Sequence, residues 1–360
     1  MRGVFFWENG GLVLDKANPY GGLLAQAIRK FGVELEPGYP DTISHEWVHQ
    51  NKGRIDVLHL NWPHYMYDRT EVEDHIARCA EVIDCLALAR TLGYKIVWTV
   101  HNLYPHESSN RDLDHLARIA LTSLADALIV HCEKARELVR THFHRTENVY
   151  IIPHGNFIEP YPNTVSREKA RRNLAFTDDH FVYFNFGNVR RYKGIERLVE
   201  VFTSLPGDHL RLLLGAKYYT KYGQEVAASV TRADKRVIVR SSRFFPNEDL
   251  QLLFNAADIG VFPFSQVLTS GSVITALSFG IPVIVPESGC VPEAVLPDAG
   301  LVYDPEDAGG LRRAMLEAQE RDIPAWNRAA RARAHQLDWA QIAERTRHVY
   351  ENPERERQNA

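Results

Sequence analysis

Long apolar runs are missing from this 360-residue chain. None approaches the roughly 20 consecutive apolar residues that a membrane-spanning helix needs. The apolar part of the opening MRGVFFWENGG is also too short for a signal peptide. Cysteine is scarce: Cys79, Cys85, Cys132 and Cys290 are scattered and form no CxxC pair. That pattern reads as buried thiols in a reducing cytosol and argues against a disulfide framework or a zinc site. There is no excess of positive charge. With 42 basic and 46 acidic residues the formal net charge is −4, which excludes the basic field that general nucleic-acid binding requires. The chain has no GxxxxGK[ST] loop, no HExxH and no GxGxxG opening a helix in its first half, so P-loop, zinc-protease and dehydrogenase chemistries are set aside. No DxD-type acidic triplet stands at a strand end to hold Mg²⁺, since Asp178-Asp179 falls in the stretch joining the two halves. Low-complexity segments and short-period repeats are absent too. These absences lead to the expectation of a cytoplasmic globular protein that needs no metal.

What is present is alternation. In the first half, short apolar runs at 3–7, 56–61, 95–101, 127–131 and 148–153 read as strands. Helical patterns at 23–31, 72–92, 113–124 and 134–143 fall between them. The second half repeats the scheme, with strands at 181–186, 210–215, 237–240, 259–263, 283–286 and 301–303 and helices at 195–205, 247–257, 272–279 and 308–321. Strand-helix alternation means parallel sheets covered by helices on both faces. The expected fold class is α/β, with two doubly wound, Rossmann-like domains facing across a cleft. The switch between them lies in the polar stretch 155–175, which contains Pro160, Pro162 and Asn163. A hydrophobic content of 45% suffices for a core in each domain.

Ligands of such sheets bind outside the carboxyl ends of the strands. The residues just after each strand therefore carry the functional signal. Residues 268–282, LTSGSVITALSFGIP, place the small-residue turn Thr269-Ser270-Gly271-Ser272 between a strand and a helix. Free N–H groups and the positive end of the helix dipole make such a turn an anion site. A second loop, Gly187-Asn188-Val189-Arg190-Arg191-Tyr192-Lys193-Gly194, follows another strand and carries the cations that suit a diphosphate. Between these loops the segment Arg240-Ser241-Ser242-Arg243-Phe244-Phe245-Pro246 ends a strand, where its backbone could meet a flat base. In the first half Gly21-Gly22 precedes a helix and allows close backbone approach. His101 stands at a strand tip, placed to act as a base or to bond a sugar hydroxyl. His106 and Glu107 follow as weaker candidates for the same role. Asn61-Trp62-Pro63-His64-Tyr65 ends another strand, and Trp62 and Tyr65 suit the apolar faces of a carbohydrate.

Together these loops resemble the GT-B glycosyltransferases, and most closely glycosyltransferase family 4. The resemblance is carried by Phe245-Pro246-Asn247-Glu248-Asp249-Leu250, Phe254-Asn255-Ala256-Ala257-Asp258, Phe262-Pro263-Phe264, Ala276-Leu277-Ser278-Phe279-Gly280-Ile281-Pro282-Val283 and Gly289-Cys290-Val291-Pro292-Glu293, in that order. It implies an acceptor-side domain over 1–160, a nucleotide-sugar donor domain over 161–337, and a final helix at 338–352 that packs back onto the first domain. It matches Gly21 and Gly22 to the glycine loop near the donor diphosphate, His101 to the histidine that contacts the donor sugar, and Lys193 to the diphosphate lysine. Asn188 stands where the family usually has Arg, so Arg190 or Arg191 supplies that charge. The family's paired glutamates align with Val267 and Thr275, which leaves the ribose and sugar contacts to Thr269, Ser270 or Ser272. The customary Asn-Gly after the last strand of the first domain is His154-Gly155.

The variant looks similar to exopolysaccharide-type transferases, including β-mannosyltransferases. The resemblance implies a hexosyltransferase that takes a GDP- or UDP-sugar as co-substrate, with no cofactor, and transfers to a saccharide or lipid-linked saccharide hydroxyl. Domain closure would exclude water. Arg190, Lys193, Ser270, Gly271 and Ser272 are the expected diphosphate contacts, and Asn188, Arg243, Phe244 and Thr275 the nucleoside contacts. His101 and Glu107 are the expected catalytic groups, and Asn61, Trp62 and Tyr65 the acceptor contacts. Nucleic acid is not an expected partner. The basic segment Arg136, Arg140, His142, His144 and Arg145 suggests peripheral contact at the inner face of a membrane. Loss of the paired glutamates also leaves open a sugar-nucleotide epimerase or phosphorylase on the same fold, or an inactive nucleotide-binding partner.

Overall fold

A computed structural model describes residues 1–7, 11–14, 18–105, 110–217, 220–242 and 245–353. The chain folds as two units, one of Met1–Gly155 with Asp338–Ala360 and the other of Asn156–Leu337. The first holds strands β1 (Arg2–Phe6), β2 (Glu34–Gly38), β3 (Val57–Leu60), β4 (Lys95–Thr99), β5 (Ala127–Val130) and β6 (Val149–Ile151). They pair in the order β2-β1-β3-β4-β5-β6, and every pairing is parallel. The second holds β7 (Phe181–Asn188), β8 (Leu210–Lys217), β9 (Val237–Ser241), β10 (Ile259–Val261), β11 (Val283–Pro286) and β12 (Gly300–Tyr303). Their order is β12-β11-β10-β7-β8-β9, again wholly parallel.

The central strands are buried on both faces, which is why VLHL, ALIV and VIVP carry almost no polar alternation. In the second unit the two faces bury separate cores. One includes Phe184, Leu213, Phe254, Phe262 and Val283, and the other Tyr183, Leu212, Leu214, Val261 and Ile284. The strand order reverses beside β1 in the first sheet and beside β7 in the second. The crevice for ligands opens at such a reversal, beyond the carboxyl ends of the strands.

Three expectations are corrected. Strand β2, ELEPG, escapes the sequence pattern because it is an edge strand with exposed Glu34 and Pro37, and among the described residues it pairs only with β1. The unit boundary falls at 155/156 and not at 160/161. Asn156 already belongs to the second unit, where its Nδ2 donates to the carbonyls of Ala334 (3.1 Å) and Leu337 (3.0 Å). The polar stretch from 156 to 175 lies within that second unit. It contains the helix Arg167–Asn173, whose buried Arg171 donates to Asp258 Oδ2 at 2.7 Å. Asp258 also pairs with Arg167 and accepts from the Val182 amide at 2.7 Å, which ties the helix to the start of β7. Third, Cys79 and Cys85 are free thiols, but Cys132 and Cys290 are not.

The helix Trp339–Glu351 belongs to the first unit. Asp338 caps it by accepting from Ala340 (3.0 Å) and Gln341 (3.1 Å). Its buried face runs along the helix Tyr20–Arg29. Lys95 Nζ donates to its terminal carbonyls at Tyr350 (2.7 Å) and Glu351 (2.9 Å), a cation at the negative end of the dipole. No helix among the described residues is long and apolar enough to cross a membrane. Within the basic segment of this unit Arg136 pairs with Glu133, and Arg145 donates to the carbonyls of Glu147 (2.6 Å), Ala125 (3.2 Å) and Asp126 (3.1 Å). Those two cations are committed to local structure.

Candidate functional site

At the carboxyl end of β7 the chain turns at Gly187 with φ of +134°, a conformation that favours glycine. A side chain there would meet Ser272 Oγ at 3.0 Å and Lys193 Nζ at 3.5 Å. Glycine thus keeps open the ground in front of the lysine. Lys193 is buried, and its Nζ donates to Ser272 Oγ at 3.4 Å. The ammonium also lies 4.8 Å from the ring centre of Phe264 and 5.6 Å from that of Tyr192. No carboxylate among the described residues pairs with it, and burial pushes its pKa down to about 8. Ser270 N-caps the helix Gly271–Ser278 by accepting from Val273 N at 3.3 Å. One buried cation and one helix N-terminus therefore converge on Ser272. Arg190 lies in extended backbone just before the 3₁₀ turn Arg191–Lys193, and Asn188 is exposed at the end of β7.

Thr275 departs from its expected nucleoside role. It is buried, and its hydroxyl donates to the Gly271 carbonyl at 2.7 Å, a bond inside its own helix. Arg243, Phe244 and Glu107, expected as nucleoside and catalytic groups, lie outside the described residues, as does His106.

In the first unit the residues that follow the strands gather into one aromatic and imidazole cluster. His101, after β4, is buried and lies flat on Trp62, with ring centres 5.0 Å apart and planes at 13°. Its Nε2 is 3.1 Å from Asn61 Oδ1, and its Nδ1 is 3.1 Å from Nε2 of His131, the residue after β5. His131 Nδ1 in turn is 2.8 Å from the Ile152 carbonyl. His154, after β6, donates from Nδ1 to its neighbour's carbonyl at 2.7 Å. Trp7, after β1, and Tyr20 stack at 5.5 Å, and Tyr20 meets His101 edge-on at 4.8 Å. The indole N–H groups of Trp7 and Trp62 are buried and have no partner among the described residues. Burial and the neighbouring imidazoles hold His101 well below its ordinary range. Burial pushes His131 down to about 4 and His154 and His59 down to about 3. The cluster is neutral at pH 7. Tyr65 is exposed beside it in sequence, with its ring against His64 at 4.2 Å.

Gly21 and Gly22 do not form the open loop expected of them. Both lie buried in the first turn of the helix Tyr20–Arg29. A side chain on Gly21 would meet Leu12 at 2.9 Å, and one on Gly22 would meet Leu14 and the Val13 carbonyl, each at 2.9 Å. Glycine is needed there so that the chain at 11–14 can pack on the helix. Trp7, Tyr20, His59, His131 and His154 were not singled out from the sequence as site residues. The signal was available for three of them, because Trp7, His131 and His154 stand within a few residues after a strand.

Two family patterns match the chain. Glycosyltransferase Family 4 covers residues 75–156, and Glycosyl transferases group 1 covers residues 180–321. The fold is that of the sucrose-phosphate synthase from Thermosynechococcus elongatus, with a TM-score of 0.76 at 19% identity over 98% of each chain. The chain is a family-4-type glycosyltransferase of the GT-B fold. This glycosyltransferase is a hexosyltransferase enzyme. It is 25% identical to a GDP-mannose:glycolipid 4-beta-D-mannosyltransferase of Xanthomonas campestris pv. campestris, over 86% of this chain and 84% of the relative. It is 29% identical to an O-antigen chain mannosyltransferase B of Escherichia coli, over 46% of this chain and 44% of the relative. Among the described residues of the glycosyltransferase no group of three or more His, Cys, Asp or Glu side chains is arranged to hold a metal ion.

Proposed function

We propose that this glycosyltransferase moves a mannosyl group from GDP-mannose to a hydroxyl of a saccharide, lipid-linked in the cell, with inversion and without a metal ion. The observation that carries the reading is Lys193, a buried ammonium with no carboxylate partner among the described residues, facing a glycine turn and a helix N-terminus. An uncompensated buried cation is unfavourable unless a ligand supplies the counter-charge. A departing nucleoside diphosphate does so. Lys193, Arg190 and the N-terminus of Gly271–Ser278 stabilise the negative charge that grows on it, which is the task a metal ion would otherwise perform. The mannosyl and lipid-linked parts are supported by the names of the two mannosyltransferases above. Inverting transfer needs a base on the acceptor hydroxyl, and neutral His101 fills that role beside Asn61 and Trp62. The indole N–H groups of Trp7 and Trp62, which have no partner among the described residues, suit the oxygens of a bound sugar.

A thermal-shift panel of GDP-mannose, UDP-glucose, ADP-glucose and dTDP-glucose in EDTA tests this reading. GDP-mannose should raise Tm the most, since a ligand at 100 times its Kd stabilises by about 2.7 kcal/mol. A larger shift with another base, or a shift that needs Mg²⁺, would overturn it.

A further inference from the structure

We infer that Arg191, Tyr222 and Glu196 form a brace across the turn that carries Lys193: Tyr222 and Glu196 are positioning residues for the lysine, and Arg191 is a strut of the turn and not a ligand of the diphosphate. The inference rests on the reading of Lys193 as the diphosphate cation. A buried ammonium gains hydration by leaving the interior, so the chain around it must hold it in place.

Lys193 ends the 3₁₀ turn Arg191–Lys193, and Gly194 joins that turn to the helix Ile195–Thr203. A swing of the turn toward solvent would hydrate the ammonium. The inner side of the turn is pinned against the loop that follows β10. Gly194 has φ of +65°, and a side chain there would collide with the Pro263 carbonyl. The Ser265 amide donates to the Tyr192 carbonyl at 2.9 Å. Around the ammonium stand Ser272, Phe264 and Tyr192, with no carboxylate partner among the described residues.

The outer side is held by one tyrosine from a separate helix. Thr220 caps the helix Lys221–Ala233 by accepting from Gly223 N at 3.0 Å, which sets Tyr222 in the first turn. The ring packs against the core that holds Ile195, Leu198 and Val226. The Arg191 guanidinium lies over that ring, with Cζ 4.5 Å from its centre. The Tyr222 hydroxyl donates to Glu196 Oε1 at 2.5 Å. Burial and that carboxylate push the phenol well above its ordinary range, so it keeps the proton it donates. Glu196 stands in the first turn of Ile195–Thr203, where its charge also meets the positive end of the helix dipole. Arg191 precedes Lys193 by two residues and Glu196 follows it by three. Tyr222 therefore ties the chain on both sides of the lysine.

The brace preorganises the donor site. With it, Lys193 stays buried and aligned before the nucleotide arrives. Without it, the turn opens, the ammonium reaches water and its pKa returns toward 10.5. A freed lysine still attracts a diphosphate, but it must be ordered again on binding, which weakens affinity.

Calorimetric titration of the full chain with GDP, UDP and ADP in EDTA, at pH 7 and pH 9, tests the inference on whichever nucleotide the natural protein binds tightest. Tyr222→Leu should weaken binding on the order of fivefold at pH 7. It should also lose most of the rise in Kd between pH 7 and pH 9, because a lysine in water keeps its charge through pH 9. Arg191→Gln should match Tyr222→Leu, and the double variant should bind no more weakly than either single one. Tyr222→Phe keeps the ring under the guanidinium and loses the bond to Glu196, so its loss should be about twofold. In a Lys193→Met protein Tyr222→Leu should change nothing further. Losses that add between Arg191→Gln and Tyr222→Leu would overturn the brace and make Arg191 a ligand in its own right. Natural affinity and an unchanged pH response in Tyr222→Leu, beside a weakened Lys193→Met, would overturn the brace alone. A Lys193→Met protein that binds the nucleotide as the natural one does would overturn the reading beneath it.

Discussion

The two sheets of this glycosyltransferase have the same build and opposite chemistry. Each has six parallel strands and a reversal of strand order that opens a ligand edge. The edge of the first is dressed with Trp7, Asn61, Trp62, His101, His131 and His154, and its imidazoles are held neutral by burial. The edge of the second carries a buried cation, Lys193, and a helix N-terminus capped by Ser270. The scaffold does not choose between these outcomes. The few residues after each strand do. A neutral aromatic edge suits a sugar hydroxyl that must lose a proton, and a cationic edge suits a diphosphate that must leave.

The sharpest way to break this contrast is to remove the cation. Lys193→Met should lower kcat/KM for transfer on the order of 10²- to 10³-fold, the range for loss of one preorganised charge-stabilising group. The same change should raise the Tm of the ligand-free protein. Burial holds the lysine at about 8 against an ordinary 10.5, so keeping its charge at pH 7 costs about 3 kcal/mol. Lower activity with higher stability would mark a residue kept for function. Lower Tm with unchanged activity would make Lys193 a structural group.

A smaller effect probes the first edge. His59, His131 and His154 titrate near 6.5 when unfolded and at about 3 to 4 when folded. A depressed folded pKa gives stability that is fully present above 6.5 and is lost as pH falls toward the folded value. Calorimetry should therefore show Tm falling steadily from pH 7 to pH 4.5. His59→Gln should flatten that slope. A Tm independent of pH over this window would mean the imidazoles are not held neutral.

Much of this was legible in the sequence, and the failures have physical causes. The strands stood out because parallel strands buried on both faces are unbroken apolar runs. Strand β2 did not, because an edge strand such as ELEPG carries charge and proline. Lys193 and His101 stood out as candidates because each follows a strand. Gly21 and Gly22 were misjudged because pattern shows a glycine but not the neighbour, here Leu12, Val13 and Leu14, that fills its missing side chain. Thr275 was misjudged for a similar reason, since only coordinates show its hydroxyl bonded to Gly271. The His101–His131 pair joins residues thirty positions apart. It appears only when β4 and β5 lie side by side, although each histidine sits where the strand-end rule looks.

The central claim is that Lys193 supplies the charge that holds the donor diphosphate. The most direct test is the Kd of GDP, by calorimetry in EDTA, from pH 7 to pH 9. With the lysine at about 8, Kd for the natural protein should rise about tenfold over that range as the free ammonium loses its proton. His101→Gln should follow the same curve, and Lys193→Met should bind weakly and without this pH dependence. A Lys193→Met protein that binds GDP as tightly as the natural one, with the same pH curve, would contradict the account.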